Sequence, residues 1–116
     1  MRSTARQIHE ITTDEVRLIS VDMRGKLDSG EVLSGTPTVE ADSGSGLVLS
    51  SKLVNSAAIT VNSRDVSIGE AVQFKADATA AVPGDWYVDI TCGTDAGQTV
   101  AGRIKIAVVN VPLASP

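Results

Sequence analysis

The tightest constraint on what this chain can fold into lies near its C-terminal end. In Asp85–Cys92, the residues Trp86, Val88, Ile90 and Cys92 alternate with Tyr87, Asp89 and Thr91. After Gly93-Thr94-Asp95-Ala96-Gly97, a second run sets Val100, Ile104, Ile106 and Val108 against Arg103 and Lys105. A period of two puts each apolar set on one face of a pleated strand, and a Gly-containing loop between two such runs reads as a hairpin. A hairpin with one greasy face is not stable alone; it needs a second layer to bury that face. The rest of the chain has to supply strands of its own.

It has the residues to do so. Val, Ile and Thr number 15, 8 and 10 of 116, and these branched side chains pack well on a pleated surface. The ten Gly and twelve Ser fall mostly between apolar runs, where turns belong. Glu15–Met23 reads as a strand with Ile19, Val21 and Met23 on its inner face. Glu31–Ala41 reads as a second strand, at an edge or bulged, because Pro37 has no N–H for a ladder. Asp42–Gly46 is a loop. Leu47–Val54 follows, with Leu47, Leu49 and Leu53 on one face, then Ala57–Val61 with Ile59 and Val61 inward. Asn62–Asp65 reads as a turn, Val66 and Ile68 as a short strand or crossing segment, and Ala71–Ala76 as a strand carrying Val72 and Phe74. Gly102 reads as a bulge in the last strand.

About seven short strands at spacings of eight to twelve residues describe an all-β protein, an immunoglobulin-like β-sandwich, with a small barrel as the competing architecture. The expected organisation is a flexible, polar N-terminal arm over residues 1–14, one sandwich over 15–110 and a short tail over 111–116 (VPLASP). The arm lacks the apolar stretch of a secretory signal, and no window reaches the eighteen apolar residues of a membrane span.

Charge and residue inventory narrow the function. Residues 27–102 carry three Lys/Arg against ten Asp/Glu, whereas 1–26 carry five basic and four acidic residues and 103–116 add two basic ones. An acidic body reads against nucleic acid as the main partner; with its slightly basic flanks it suits head-to-tail electrostatic pairing between copies, with simple solubility as the competing reading. His9 is the single imidazole and sits in the expected arm, where nothing would hold it against a nucleophile. Cys92 is the single thiol, on an inward face, so no intrachain disulfide forms and the sulfur acts as a small hydrophobe. Asp42, Asp65, Asp77, Asp85, Asp89 and Asp95 lie in or beside turns, but no stretch has the spacing of a calcium loop, and with three aromatic residues in the chain no sugar-cleaving cleft is expected. Trp86 reads as a core anchor and Tyr87 as the outward aromatic available for a binding contact. No catalytic, cofactor-binding or metal-ligating residue is assigned.

Two segments carry a resemblance. Leu27-Asp28-Ser29-Gly30-Glu31-Val32-Leu33 resembles the L-x-x-G-E-x-I/L corner of small Ig-like structural proteins of tailed bacteriophages, the fibre–tail adaptor and decoration type. Trp86–Cys92, then Thr94-Asp95-Ala96-Gly97-Gln98-Thr99, then Ile104–Val108 resembles their closing hairpin, with Asp95-Ala96-Gly97 where the family pattern has Asp-Gly. The resemblance covers about residues 17–109. It implies a non-enzymatic virion structural protein without cofactor, present in many copies or as a homo-oligomer, assembled in the host cytoplasm and contacting other virion proteins rather than nucleic acid or membrane. The expected role is an adaptor joining fibre to tail or neck. Capsid decoration is the alternative, and a module binding host-surface glycans through Tyr87 a further one.

Overall fold

A computed structural model of the chain describes residues 8–61 and 64–110. Nine strands occur among them: β1 (Ile8–Thr12), β2 (Val16–Asp22), β3 (Leu33–Ala41), β4 (Val48–Val54), β5 (Ile59–Val61), β6 (Arg64–Val66), β7 (Ala71–Asp77), β8 (Gly84–Thr94) and β9 (Thr99–Val109). One 3-10 turn, Arg24–Lys26, follows β2. The strands form a four-stranded sheet in the order β1-β9-β8-β3, a three-stranded sheet in the order β2-β7-β4, and the two-stranded pair β5-β6. The two larger sheets face each other as a sandwich. Their inner faces supply the core: Ile19, Val21, Val72, Phe74 and Ala76 from one, Val39, Val88, Ile90, Ile104, Ile106 and Val108 from the other.

The closing hairpin is the expected one, running in unbroken antiparallel register from Gly84↔Val108 to Gly93↔Thr99. Cys92 is buried on its inner face. β3 is both an edge strand and bulged, since its register with β8 shifts between Ser34 and Thr38 around Pro37.

Four expectations need correction. The arm does not extend to residue 14: Ile8–Thr12 is β1, paired parallel with β9, and Ile11 is 1% exposed. Alternation missed it because the inward position beside Ile11 is held by His9, which stands in register with buried Ile106. The remainder of the arm, residues 1–7, and the 111–116 tail lie outside the described residues. Gly102 is not a bulge; it pairs with Ile90 in continuous register, and a side chain there would meet Met23 at 3.5 Å. Leu53 does not share a face with Leu47 and Leu49. Ser51 takes a φ of 53°, the register of β4 with β7 slips between Ser50 and Leu53, and the parity of the strand reverses, leaving Leu53 outward and Val54 packed on the core. Finally, of the residues expected in a turn over 62–65, Arg64 and Asp65 belong to β6, with Val61 opposite Arg64, and 62–63 lie outside the described residues.

Candidate functional site

One end of the sandwich is built by the two segments singled out in the sequence. Glu31 is buried, and its carboxylate is satisfied twice: Oε1 accepts from the Asp28 N–H at 2.8 Å and Oε2 from the Thr94 hydroxyl at 2.6 Å. Thr94 Oγ1 in turn accepts from the Gln98 N–H at 3.1 Å, closing the 94–98 turn around it. The backbones also join: the Asp95 N–H donates to the Val32 carbonyl at 3.0 Å, and the Val32 N–H donates to Asp95 Oδ1 at 3.1 Å. Gln98 Nε2 reaches Asp28 Oδ2 at 3.3 Å. A buried carboxylate with each oxygen hydrogen-bonded fixes geometry, because losing either donor would leave a desolvated charge. The corner after the 3-10 turn and the tip of the closing hairpin are therefore one rigid unit.

The outer face of the four-stranded sheet is polar. Arg103 forks onto Asp89 at 2.7 and 3.2 Å, and its guanidinium lies 5.1 Å from the Tyr87 ring centre. Lys105 sits 3.4 Å from Asp85. Tyr87 thus faces outward as expected, half-buried, with the Arg103 guanidinium over its ring. Trp86 is at the margin of the core rather than within it; it is half-buried, packs on the core cluster and donates its indole N–H to the Val82 carbonyl at 2.7 Å.

The remaining candidate residues are dispersed. His9 lies on β1, an edge of the four-stranded sheet. Its Nε2 is buried without a partner, and burial, with Arg17 nearby as a lesser cause, holds the imidazole below its ordinary pKa. Burial pushes the Cys92 thiol upward, away from thiolate chemistry. Asp42 accepts from the Tyr87 N–H, Asp65 from the Thr60 hydroxyl and Asp77 from the Thr79 N–H, so these carboxylates serve local turns and pairs. Among the described residues no three His, Cys, Asp or Glu gather as metal ligands. An open groove of about 420 Å³ runs along the β3–β4 side, lined by Ala41, Leu47, Leu49, Glu40, Asp42 and Lys52. His9 is at the opposite edge of the sheet, three strand spacings or roughly 14 Å away.

Sequence reasoning passed over Asn55. It is 1% exposed at the end of β4; its Oδ1 accepts from the N–H groups of Gly69, Glu70 and Ala71 at 3.0, 3.1 and 3.0 Å, and its Nδ2 donates to the carbonyls of Ala57 and Ser67, both at 2.9 Å. That side chain ties the β5-β6 pair to the sandwich. Nothing in its immediate neighbours, Val54 and Ser56, distinguishes it from a solvated turn residue.

No protein-family model and no curated protein matches the sequence. Among solved structures, a family 123 glycoside hydrolase from Clostridium perfringens, described for glycolipid glycan hydrolysis, aligns with a TM-score of 0.41 and 9% identity. The alignment covers 90% of this chain and 23% of the hydrolase, so the chain spans about a quarter of that protein's length. A likeness of that size bears on neither the fold nor the chemistry of this chain.

Proposed function

We propose that the chain is a non-enzymatic structural protein of a tailed-bacteriophage particle, an Ig-like sandwich that holds other virion proteins together as an adaptor between fibre and tail or neck. The observation that carries this reading is the meeting of the two segments on which the family resemblance rests. The 27–33 corner and the 94–99 turn are far apart in the chain, yet they interlock through Glu31, Thr94 and Asp95. A pattern of two such segments has meaning as a fold signature when each fixes the other.

The distribution of chemistry supports a contacting role. The imidazole and the open groove are on opposite edges of one sheet, the thiol is buried, and Asp42, Asp65 and Asp77 are engaged in local bonds. What the molecule offers to others is a stiff body, charged faces and sheet edges, the last partly protected by Pro37 and its bulge. Mass spectrometry of purified particles of the encoding phage tests the reading. The chain should be recovered at a fixed ratio to a tail or neck protein. Recovery in proportion to the major shell protein would move it to the decoration role, and its absence from complete particles would refute both.

A further inference from the structure

The outer face of the three-stranded sheet is different in kind from that of the four-stranded one. Its outward residues form three cross-strand rows. Val16, Asp77 and Val48 stand in the first, Leu18, Lys75 and Ser50 in the second, Ser20, Gln73 and Leu53 in the third. Val16, Leu18, Val48 and Leu53 are 56%, 61%, 59% and 44% exposed, which places four of the large exposed aliphatic residues on one face. None of the described strands covers them. Two opposite charges occupy the central strand between them. Lys75 is exposed and makes no ion pair among the described residues, although Asp77 is its neighbour on the same face. Asp77 is held in place by the Thr79 N–H at 2.9 Å.

A plus and a minus in successive rows, framed by aliphatic side chains, make a surface that is its own complement. Two sheets stacked face to face about a two-fold axis that crosses the strands between the first two rows would set Val16 over Leu18 on one flank and Asp77 over Lys75 in the centre, twice by symmetry. An axis along the strands would instead oppose Lys75 to Lys75, so charge selects between the two arrangements. We propose that this face binds a second copy of the chain, in the arrangement that pairs Lys75 of each copy with Asp77 of the other. Three strands of seven residues present a face of roughly 330 Å², less than half the area per partner of a standard interface, and the axis superposes only its first rows, so the pair is of the weak, concentration-dependent class. The inference stands independently of the particle reading.

Sedimentation velocity from about 10 μM to about 1 mM, the range in which so small an interface populates a pair, is the test. The full chain should shift from monomer to dimer across the titration. Leu18→Glu should remain monomeric throughout while melting within a few degrees of the parent. Lys75→Glu and Asp77→Lys should each remain monomeric alone and form a one-to-one pair when mixed, because the mixture restores attraction at both crossings. If Asp77→Lys fails to fold for want of its bond to Thr79, Leu18→Glu and Lys75→Glu, which break no bond of the fold, decide the matter. A parent chain that is monomeric at every concentration overturns the proposal, as does a dimer, or a complex seated elsewhere, that survives Leu18→Glu and Lys75→Glu unchanged.

Discussion

At Asn55 one amide closes five hydrogen bonds, three accepted from consecutive N–H groups and two donated to carbonyls. Asn55→Ala would leave the Ala71 N–H and the Ala57 carbonyl without this partner, while the Gly69 and Glu70 N–H groups keep the backbone carbonyls of residue 55 and Ser67, at a cost of about 2 kcal/mol or more. Urea unfolding should read a loss of that size, and a loss under about 1 kcal/mol would show that the hub is dispensable. His9 makes the corresponding prediction for pH. Its folded-state pKa lies below the ordinary 6.5, so the unfolded chain takes up the proton more readily. Stability is fully present above about 6.5 and falls as the pH drops from there through the folded value. The lowered carboxylates Glu15, Asp22 and Asp77 start from ordinary values of 4.5, 3.8 and 3.8, so their contributions are lost only at lower pH. With a single histidine in the chain, the slope between pH 7 and pH 5 belongs to His9, and thermal melts of His9→Leu should lack it. An unchanged slope in that variant would contradict the buried, neutral imidazole.

Among the elements, two glycines separate turn geometry from strand packing. Gly46 sits at φ 75°, and a Cβ there would run into the Ala80 carbonyl oxygen, against which the 42–46 loop is closed by the Val82 N–H to Ser45 carbonyl bond. Gly102 lies in regular strand with ordinary contact distance to Met23. Gly46→Ala should cost about 2 kcal/mol or more, while Gly102→Ala should change stability by less than about 1 kcal/mol, as read by paired thermal melts. Equal effects would contradict this contrast between a strained turn and a regular strand. The same contrast explains what was legible. Alternation read β7 and β8 closely because their inner faces are unbroken, whereas in β9 the inward Gly102 interrupts the apolar row and reads as a bulge. It misplaced Leu53 because one residue at positive φ, Ser51, reverses parity without any sequence mark. It missed β1 because a histidine occupies an inward place. With Ile19 and Val21 inward, the period of two leaves Val16 and Leu18 on the outer face.

For the molecule as a whole, the sandwich followed from periodicity and turn residues, whereas the bonds that lock its end did not. Glu31 and Thr94 are 63 residues apart, and no local pattern announces a hydrogen bond between them. The resemblance marked both segments without saying that they touch. Under the proposed function the chain is a connector that acts through its surfaces. Cryo-electron microscopy of the intact particle tests that most directly. The account predicts repeated density fitted by the two-sheet sandwich at the junction of fibre with tail or neck, with neighbouring proteins against its faces and edges. Complete particles whose every density is assigned to other chains would contradict it.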